Sequence, residues 1–418
     1  MGTTKIGLPD VFETVGNIVI RRAVIIGTGS SGSEHQSLGL VRALGLADNH
    51  VLYRVTRPRG GVNDWLHWLP VTFHKKLEYI LRQIYWCAAA LTVSRKRKDG
   101  IGFSENGHVG NGLASILEAD AKQIVRRARV SYETDGPLLV VACGRDTISV
   151  ASSIKRLGSA NTFVVQIKHP RSHLERFDLV ITPSHDYYAL TSEAQKQVPR
   201  LLRKWITPRN PPDERVVLTL GALHHVDFTA IRNAASVWHD VFAFLPKPLL
   251  VVSIGWPTRN CRYGPDLAKH LVERLLSVIS TCGSVRISFS DRTPLEISKV
   301  VINELFHHPK VQIWNGQEPN PYMGNLAWAD AFVITADSVS LLSEACSTGK
   351  PVYVIGSDSC KWKLTEFLKT LKDRGVVRPF TGSEDMSHNW SYPPLNDTLE
   401  AARKVREALA KRGLRIHS

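Results

Sequence analysis

Apolar residues along this chain gather in short unbroken blocks. Blocks rich in Val, Ile and Leu stand at 21–27, 50–56, 137–143, 162–167 and 177–182, with helical spacing at 34–46, ahead of 137, and between 143 and 162. A strand covered on both faces reads as a continuous apolar run, and parallel neighbours need a crossover between them. A second series stands at 215–220, 249–254, 285–289, 311–314, 332–335 and 352–355. The pattern predicts an α/β protein of two Rossmann-like, doubly wound parallel-sheet domains facing a cleft. Pro199, Pro208, Pro211 and Pro212, mixed with Arg200, Arg203, Lys204 and Arg209, mark a linker. The expected division is an N-terminal extension over 1–20, a first domain over 21–212, a second over 213–394 and a terminal helix over 395–418. Leu399, Ala402, Val405 and Leu409 give that helix an apolar face, suited either to crossing back onto the first domain or to covering the second.

Composition narrows the class. A chain of 418 residues exceeds one ordinary core, and 43% hydrophobic with 22% charged residues is typical of a globular protein. Its formal charge of +15 favours anionic surfaces or ligands. No zinc, RRM or helix-turn-helix pattern accompanies that charge, so nucleic acid is not an expected partner. Six scattered cysteines form no C-x-x-C pair, which points to free thiols in a reducing compartment and to no metal site. The first 22 residues lack the basic start and apolar block of a secretory signal, and no uncharged apolar run approaches membrane-spanning length. The cytosol is expected, with any membrane contact peripheral.

Candidate chemistry concentrates at two loops. Residues 331–352 read as strand, polar turn, helix and strand, with Ser338 or Ser340 as helix cap and Gly349 as terminator. This resembles the nucleotide-sugar donor unit of two-domain glycosyltransferases, in which Glu344 is the acid that meets the ribose. Gly255, after another strand, is the glycine that lets donor phosphates approach the backbone. In the first half, Gly27, Gly29 and Gly32 satisfy G-x-G-x-x-G between a strand and a helix, where amides and the helix dipole favour an anion. The next strand ends in basic Arg57 and Arg59, which leaves NADP, an acceptor-domain loop and a plain structural turn as readings. Two further loops, Gly221-Ala222-Leu223-His224-His225 and Gly144-Arg145-Asp146-Thr147, follow strands as well. His185 and Asp186 are the candidate base, against a loop-stabilising role, and His169 with His173 lack a third metal ligand.

Trp65, Trp68, Phe73, Tyr79, Tyr85 and Trp86 crowd one segment that ends in Arg95-Lys96-Arg97-Lys98. Interleaved aromatic and basic residues suit a membrane interface or a docking partner, against a buried helix with a charged loop.

The strings Asp10-Val11-Phe12-Glu13, Tyr53-Arg54-Val55-Thr56-Arg57-Pro58, Asp64-Trp65-Leu66-His67-Trp68-Leu69-Pro70, Ala142-Cys143-Gly144-Arg145-Asp146-Thr147 and Trp314-Asn315-Gly316-Gln317-Glu318-Pro319-Asn320-Pro321 together resemble the plant elongated-mitochondria family of mitochondrial fission factors. The likeness runs over nearly the whole chain. It implies a two-domain, GT-B-like fold and a cytosolic protein at the outer mitochondrial membrane that helps localise a dynamin-related GTPase to fission sites. It supplies no catalytic motif. The alternative is a nucleotide-sugar-dependent glycosyltransferase, with a nucleotide sugar as its ligand.

Overall fold

In a computed structural model of the chain, the structure describes residues 18–55, 80, 113–158, 160–171, 173–199, 208, 210–388 and 390–417. Trp65, Trp68, Trp86, Arg95, Lys96, Arg97 and Lys98 lie outside the described residues, as do Arg57, Arg59 and much of the proline-rich linker.

The apolar blocks form the strands β1 (Ile18–Ile20), β2 (Arg22–Gly27), β3 (His50–Arg54), β4 (Leu138–Cys143), β5 (Thr162–Ile167), β6 (Leu179–Pro183) and β7 (Val216–Thr219) in the first half. The second half adds β8 (Leu249–Ile254), β9 (Ser284–Phe289), β10 (Val311–Ile313), β11 (Ala331–Thr335), β12 (Val352–Ile355), β13 (Arg378–Pro379) and β14 (Leu414–Ile416). Two six-stranded parallel sheets result, ordered β3-β2-β4-β5-β6-β7 and β10-β9-β8-β11-β12-β13. The two-domain α/β fold expected from the sequence is therefore present.

Alternate residues of each central strand feed opposite cores. Leu139 and Val141 of β4 face one cluster while Val140 and Ala142 face the other. Leu249 and Val251 of β8 are likewise set against Leu250 and Val252. Burial on both faces is what removes the polar alternation from these strands.

Two boundaries differ from expectation. β7, assigned by its position after the prolines to the second domain, pairs in parallel with β6 and ends the first sheet, with Val180 opposite Val216 and Pro183 opposite Thr219. As an edge strand it is half-exposed, and a proline-rich stretch marks a change of direction within a domain as readily as between two. Within the expected N-terminal extension, β1 pairs in parallel with β14, so both ends of the described chain are joined.

The helices that position the site are α1 (Ser31–Ala43), α2 (Leu113–Val130), α3 (Ile148–Gly158), α4 (Phe228–Val237), α5 (Pro265–Val278), α6 (Leu295–Leu305), α7 (Tyr322–Trp328), α8 (Val339–Cys346), α9 (Lys363–Asp373) and α10 (Asp397–Ala410). The apolar face of α10, with Ala401, Ala402, Val405 and Leu409, packs into the first-domain core beside Leu40 and Val41 of α1. Its first residue ties the domains: the Asp397 carboxylate accepts from the amides of Leu220 and Gly221, both at 2.8 Å. The Ser343 hydroxyl of α8 accepts from the next amide, Ala222, at 2.9 Å. Thr398 exchanges hydrogen bonds with the His224 backbone at 3.1 and 3.0 Å. The loop 220–224, read from the sequence as an anion-binding candidate, thus has its amides committed to the interdomain joint.

Candidate functional site

In each sheet the chain starts near the middle and works outward, so the strand order reverses between β2 and β4 and between β8 and β11. Ligands of open α/β sheets bind outside the carboxyl ends of strands at such reversals. A cleft of about 500 Å³ lies there, between the two domains. One wall is Ser30, Ser31 and Gly32 at the start of α1, and the other is Ser338 and Ser340 at the start of α8. Two helix N-termini, each with its positive dipole end, therefore share the cleft. The Ser338 hydroxyl caps α8 by accepting from the Leu341 amide at 3.3 Å, whereas Ser30 makes no side-chain cap. Lys168 and Arg292 add positive charge, and the Arg292 guanidinium stacks 4.6 Å from the Trp256 ring.

Several predicted ligand groups already have partners within the protein. The Gly29 amide donates to the Glu34 carboxylate at 2.8 Å, and Glu34 is gripped by Arg54 at 3.1 and 2.9 Å. The Arg54 hydrogen bonds hold Glu34 below its ordinary pKa, so a fixed negative charge sits where an anion would meet the glycine loop. Gly27 is required by the same group: a methyl there would come within 2.5 Å of the Glu34 carboxylate. Of the three loop glycines, Gly32 lines the cleft and Gly27 and Gly29 do not.

Gly255 has a similar role. Its amide donates to the Thr335 hydroxyl at 2.8 Å, and a methyl at this position would collide with the Asp337 carboxylate. Asp337 in turn accepts from the Tyr263 hydroxyl at 2.7 Å and the Trp256 amide at 3.1 Å, while burial raises its pKa. The missing side chain makes room for an acid from the turn after β11.

Glu344 accepts a hydrogen bond from the Tyr322 hydroxyl, and burial pushes its pKa up to about 7. Tyr322 lines the cleft and Glu344 does not. The tyrosine hydroxyl therefore occupies the carboxylate that the donor-site reading gives to a ribose.

His185 is buried against Phe367, with ring centroids 5.1 Å apart, and lines neither large space between the domains. Burial lowers its pKa to about 4. Its neighbour Asp186 points the other way, accepting from Thr182 at 2.7 Å and pairing with Lys363 at 2.5 Å. Burial opposes its ionisation, but the Lys363 charge outweighs this and keeps the pKa low. His169 accepts from the Arg171 amide at 2.8 Å, and His173 pairs with Glu175 at 2.9 Å. No group of three metal-ligating residues occurs among the described residues.

Tyr322, Asp337 and Glu34 escaped sequence reading. Tyr322 lies 22 positions from its partner Glu344 and Asp337 lies 81 from the Trp256 amide it receives, so no local spacing announces either contact. Glu34 is only five residues from Gly29, and a carboxylate in the first helical turn after the glycine loop was the available signal.

Residues 31–409 match the family described as Mitochondrial fission ELM1. The chain is 67% identical over 415 residues to Mitochondrial fission protein ELM1 of Arabidopsis thaliana, covering 99% of this chain and 97% of that protein. The chain belongs to the mitochondrial fission ELM1 family. This bears out the resemblance drawn from the sequence strings. An uncharacterized protein of Rickettsia prowazekii, RP120, is 30% identical over 293 residues, or 65% of this chain and 80% of that one. Among solved structures, the UDP-GlcNAc 2-epimerase of Methanocaldococcus jannaschii aligns over 92% of this chain and 98% of its own at 13% identity, with a TM-score of 0.48. MurG of Acinetobacter baumannii aligns over 94% of each chain at 13% identity and a TM-score of 0.40. These values carry no inference about a ligand of the ELM1-family chain. Among its described residues no helix is long and apolar enough to cross a membrane.

Proposed function

We propose that this protein acts in mitochondrial fission as an adaptor at the cytosolic face of the outer mitochondrial membrane, where it helps localise a dynamin-related GTPase. The observation that carries this reading is its 67% identity, across nearly its full length, to a protein named for mitochondrial fission. The geometry of the cleft is in keeping with a binding role: Glu34, Asp337 and Glu344 are engaged by the protein's own amides and hydroxyls. The charge of +15 favours an anionic membrane face, with Arg95, Lys96, Arg97 and Lys98, and Trp65, Trp68 and Trp86 earlier in the same stretch of sequence, as the proposed contact. The test is complementation of cells lacking the protein, scoring mitochondrial length and the fraction of GTPase foci on mitochondria. Wild type is expected to restore both, and a Gln set at 95–98 to restore neither. Normal GTPase foci in the absence of the protein would refute the adaptor role.

The cleft supports a second reading, retained binding of a nucleotide sugar, because the starts of α1 and α8 meet across one space with Lys168 and Arg292 beside it. A ligand at about 100 times its dissociation constant adds about 2.7 kcal/mol of apparent stability. A thermal-shift series with UDP, GDP, ADP and CMP sugars and NADPH, repeated on Ser340→Glu, tests it. A shift lost in the variant supports the reading, and none in wild type rejects it.

A further inference from the structure

A larger space, about 900 Å³, lies between the domains under the loops that follow β4, β5, β8 and β12. Its first-domain wall carries Arg145, Lys168 and Arg171, and its second-domain wall carries Arg259, Arg262 and Lys361. The acid lining it is Asp186, which is already paired with Lys363 and hydrogen-bonded to Thr182. None of the six wall cations pairs with a carboxylate among the described residues. The residues between 199 and 212 contain no Asp or Glu either.

The backbone holds these cations in place. On the second-domain side, antiparallel backbone pairing joins Thr258 to Cys261 and Cys261 to Cys360, the two cysteines being free thiols, while the Arg262 amide donates to the Ser359 carbonyl at 3.3 Å and the Lys361 amide to the Asn260 carbonyl at 2.7 Å. Two loops are thereby tied into one rigid rim. On the opposite side, Lys168 and Arg171 adopt left-handed backbone with φ of 70° and 72°, and Trp362 across the space does so at 60°. Left-handed backbone is strained for residues with side chains and persists where the surroundings over-determine it, often at ligand clamps. The Lys168 amide donates to the Ile181 carbonyl at 2.8 Å and the Arg171 amide to His169 at 2.8 Å, which supplies that determination. Burial and the neighbouring Arg145 lower the pKa of the Arg171 guanidinium by more than the Asp186 charge raises it, the sign expected where cations crowd together.

We infer that this crevice is a binding site for a compact ligand bearing several phosphate groups, held between Arg145, Lys168 and Arg171 on one domain and Arg259, Arg262 and Lys361 on the other. A volume of this size suits a small molecule or a headgroup. Guanidinium groups match phosphate oxygens in pairs, and four of the six cations are arginines. Because the walls belong to different domains, the ligand contacts both at once. The site is separate from the 500 Å³ cleft, although Lys168 borders both.

The test uses the full chain at physiological ionic strength. Inositol hexakisphosphate and pyrophosphate are titrated calorimetrically, and flotation is measured with phosphatidylcholine vesicles with and without phosphatidylinositol bisphosphate. The Arg171→Glu/Arg262→Glu variant is compared with Lys299→Glu, an exposed lysine on α6 outside the crevice. Saturable binding of the soluble polyphosphate, weakened about tenfold or more by the double variant and unchanged by Lys299→Glu, identifies a free metabolite site. Flotation that needs the phosphoinositide and is lost in the double variant identifies a headgroup. Binding equally weakened by Lys299→Glu, or no binding of any probe, overturns the assignment. The melting temperature of the ligand-free double variant is expected to equal or exceed that of wild type, since charge reversal relieves repulsion. A drop of several degrees would mean that these arginines have structural partners, and would overturn it as well.

Discussion

Replacing Glu344 by Gln removes a carboxyl group that the folded protein accommodates at a cost. Its ordinary pKa of 4.5 is raised to about 7 because burial disfavours the charged form, only partly offset by the Tyr322 hydroxyl. The folded protein therefore binds this proton more tightly than the unfolded chain. The group favours folding fully below pH 4.5, and that contribution is lost as pH rises to 7, after which the penalty is constant. A shift of this size corresponds to a penalty on the order of 3 kcal/mol at pH 8, at 1.36 kcal/mol per unit. Gln keeps an acceptor for the Tyr322 hydroxyl but adds an amide that needs a partner, at about 1 kcal/mol. The net expectation is a Glu344→Gln variant about 2 kcal/mol more stable at pH 8 and within about 1 kcal/mol of wild type at pH 5. For a domain of this size the pH 8 gain is roughly 4–8 °C in melting temperature. Differential scanning calorimetry of both proteins at the two pH values reads the effect. A lower melting temperature for the variant at pH 8, or the same offset at both pH values, would refute the reasoning and show that the carboxylate is stabilised as an ion.

Asp397→Ala should cost about 3 kcal/mol in urea unfolding, because it strips two charge-assisted hydrogen bonds from the Leu220 and Gly221 amides, and Asp397→Asn should recover part of that loss. Gly255→Ala forces a methyl against the Asp337 carboxylate and should cost about 1–3 kcal/mol. In a double-mutant cycle Asp337→Ala should relieve much of that cost, and simple additivity would count against the clash. His185 is held neutral by burial, with its pKa depressed from 6.5 to about 4, so its contribution is present above pH 6.5 and is lost as pH falls toward 4. Urea titrations of His185→Gln should show a difference in stability between pH 7.5 and pH 5 that is smaller than in wild type by about 2 kcal/mol; an unchanged difference would assign the acid sensitivity elsewhere.

The strands legible in the sequence are those buried on both faces. β4, β5 and β8 are apolar at almost every position because each strand serves two cores, and that requirement is written residue by residue. β1, β13 and β14 are two or three residues long and owe their existence to partners far along the chain, so composition does not betray them. The same distinction holds in the site. Gly32, Ser338 and Ser340 were readable because a glycine loop and a helix cap are local devices, and both arrive at one cleft. The contacts that decide what the cleft can hold were not, because Tyr322–Glu344 and Gly255–Asp337 depend on which loops the strand order brings together. The cationic crevice is the extreme case: its basic residues come from four loops in two domains, and each alone looks like an ordinary solvated charge.

Charge is distributed oppositely in the two interdomain spaces. The 500 Å³ cleft is lined by the acid Asp291, and behind its lining the acids Glu34, Asp337 and Glu344 are turned onto backbone amides and tyrosine hydroxyls. An acid that already accepts from an amide removes that amide from a ligand and repels an incoming phosphate, so each such contact weakens the cleft as a diphosphate site. In the adjoining crevice the one lining acid is paired with Lys363, and the six other cations have no carboxylate partner among the described residues. Two spaces built by the same pair of sheets thus differ in what their polar groups still require. A donor site would need the first set of groups released from the protein; a polyphosphate clamp needs only a ligand for the second. The cations without a carboxylate partner gather in the crevice, on walls from both domains.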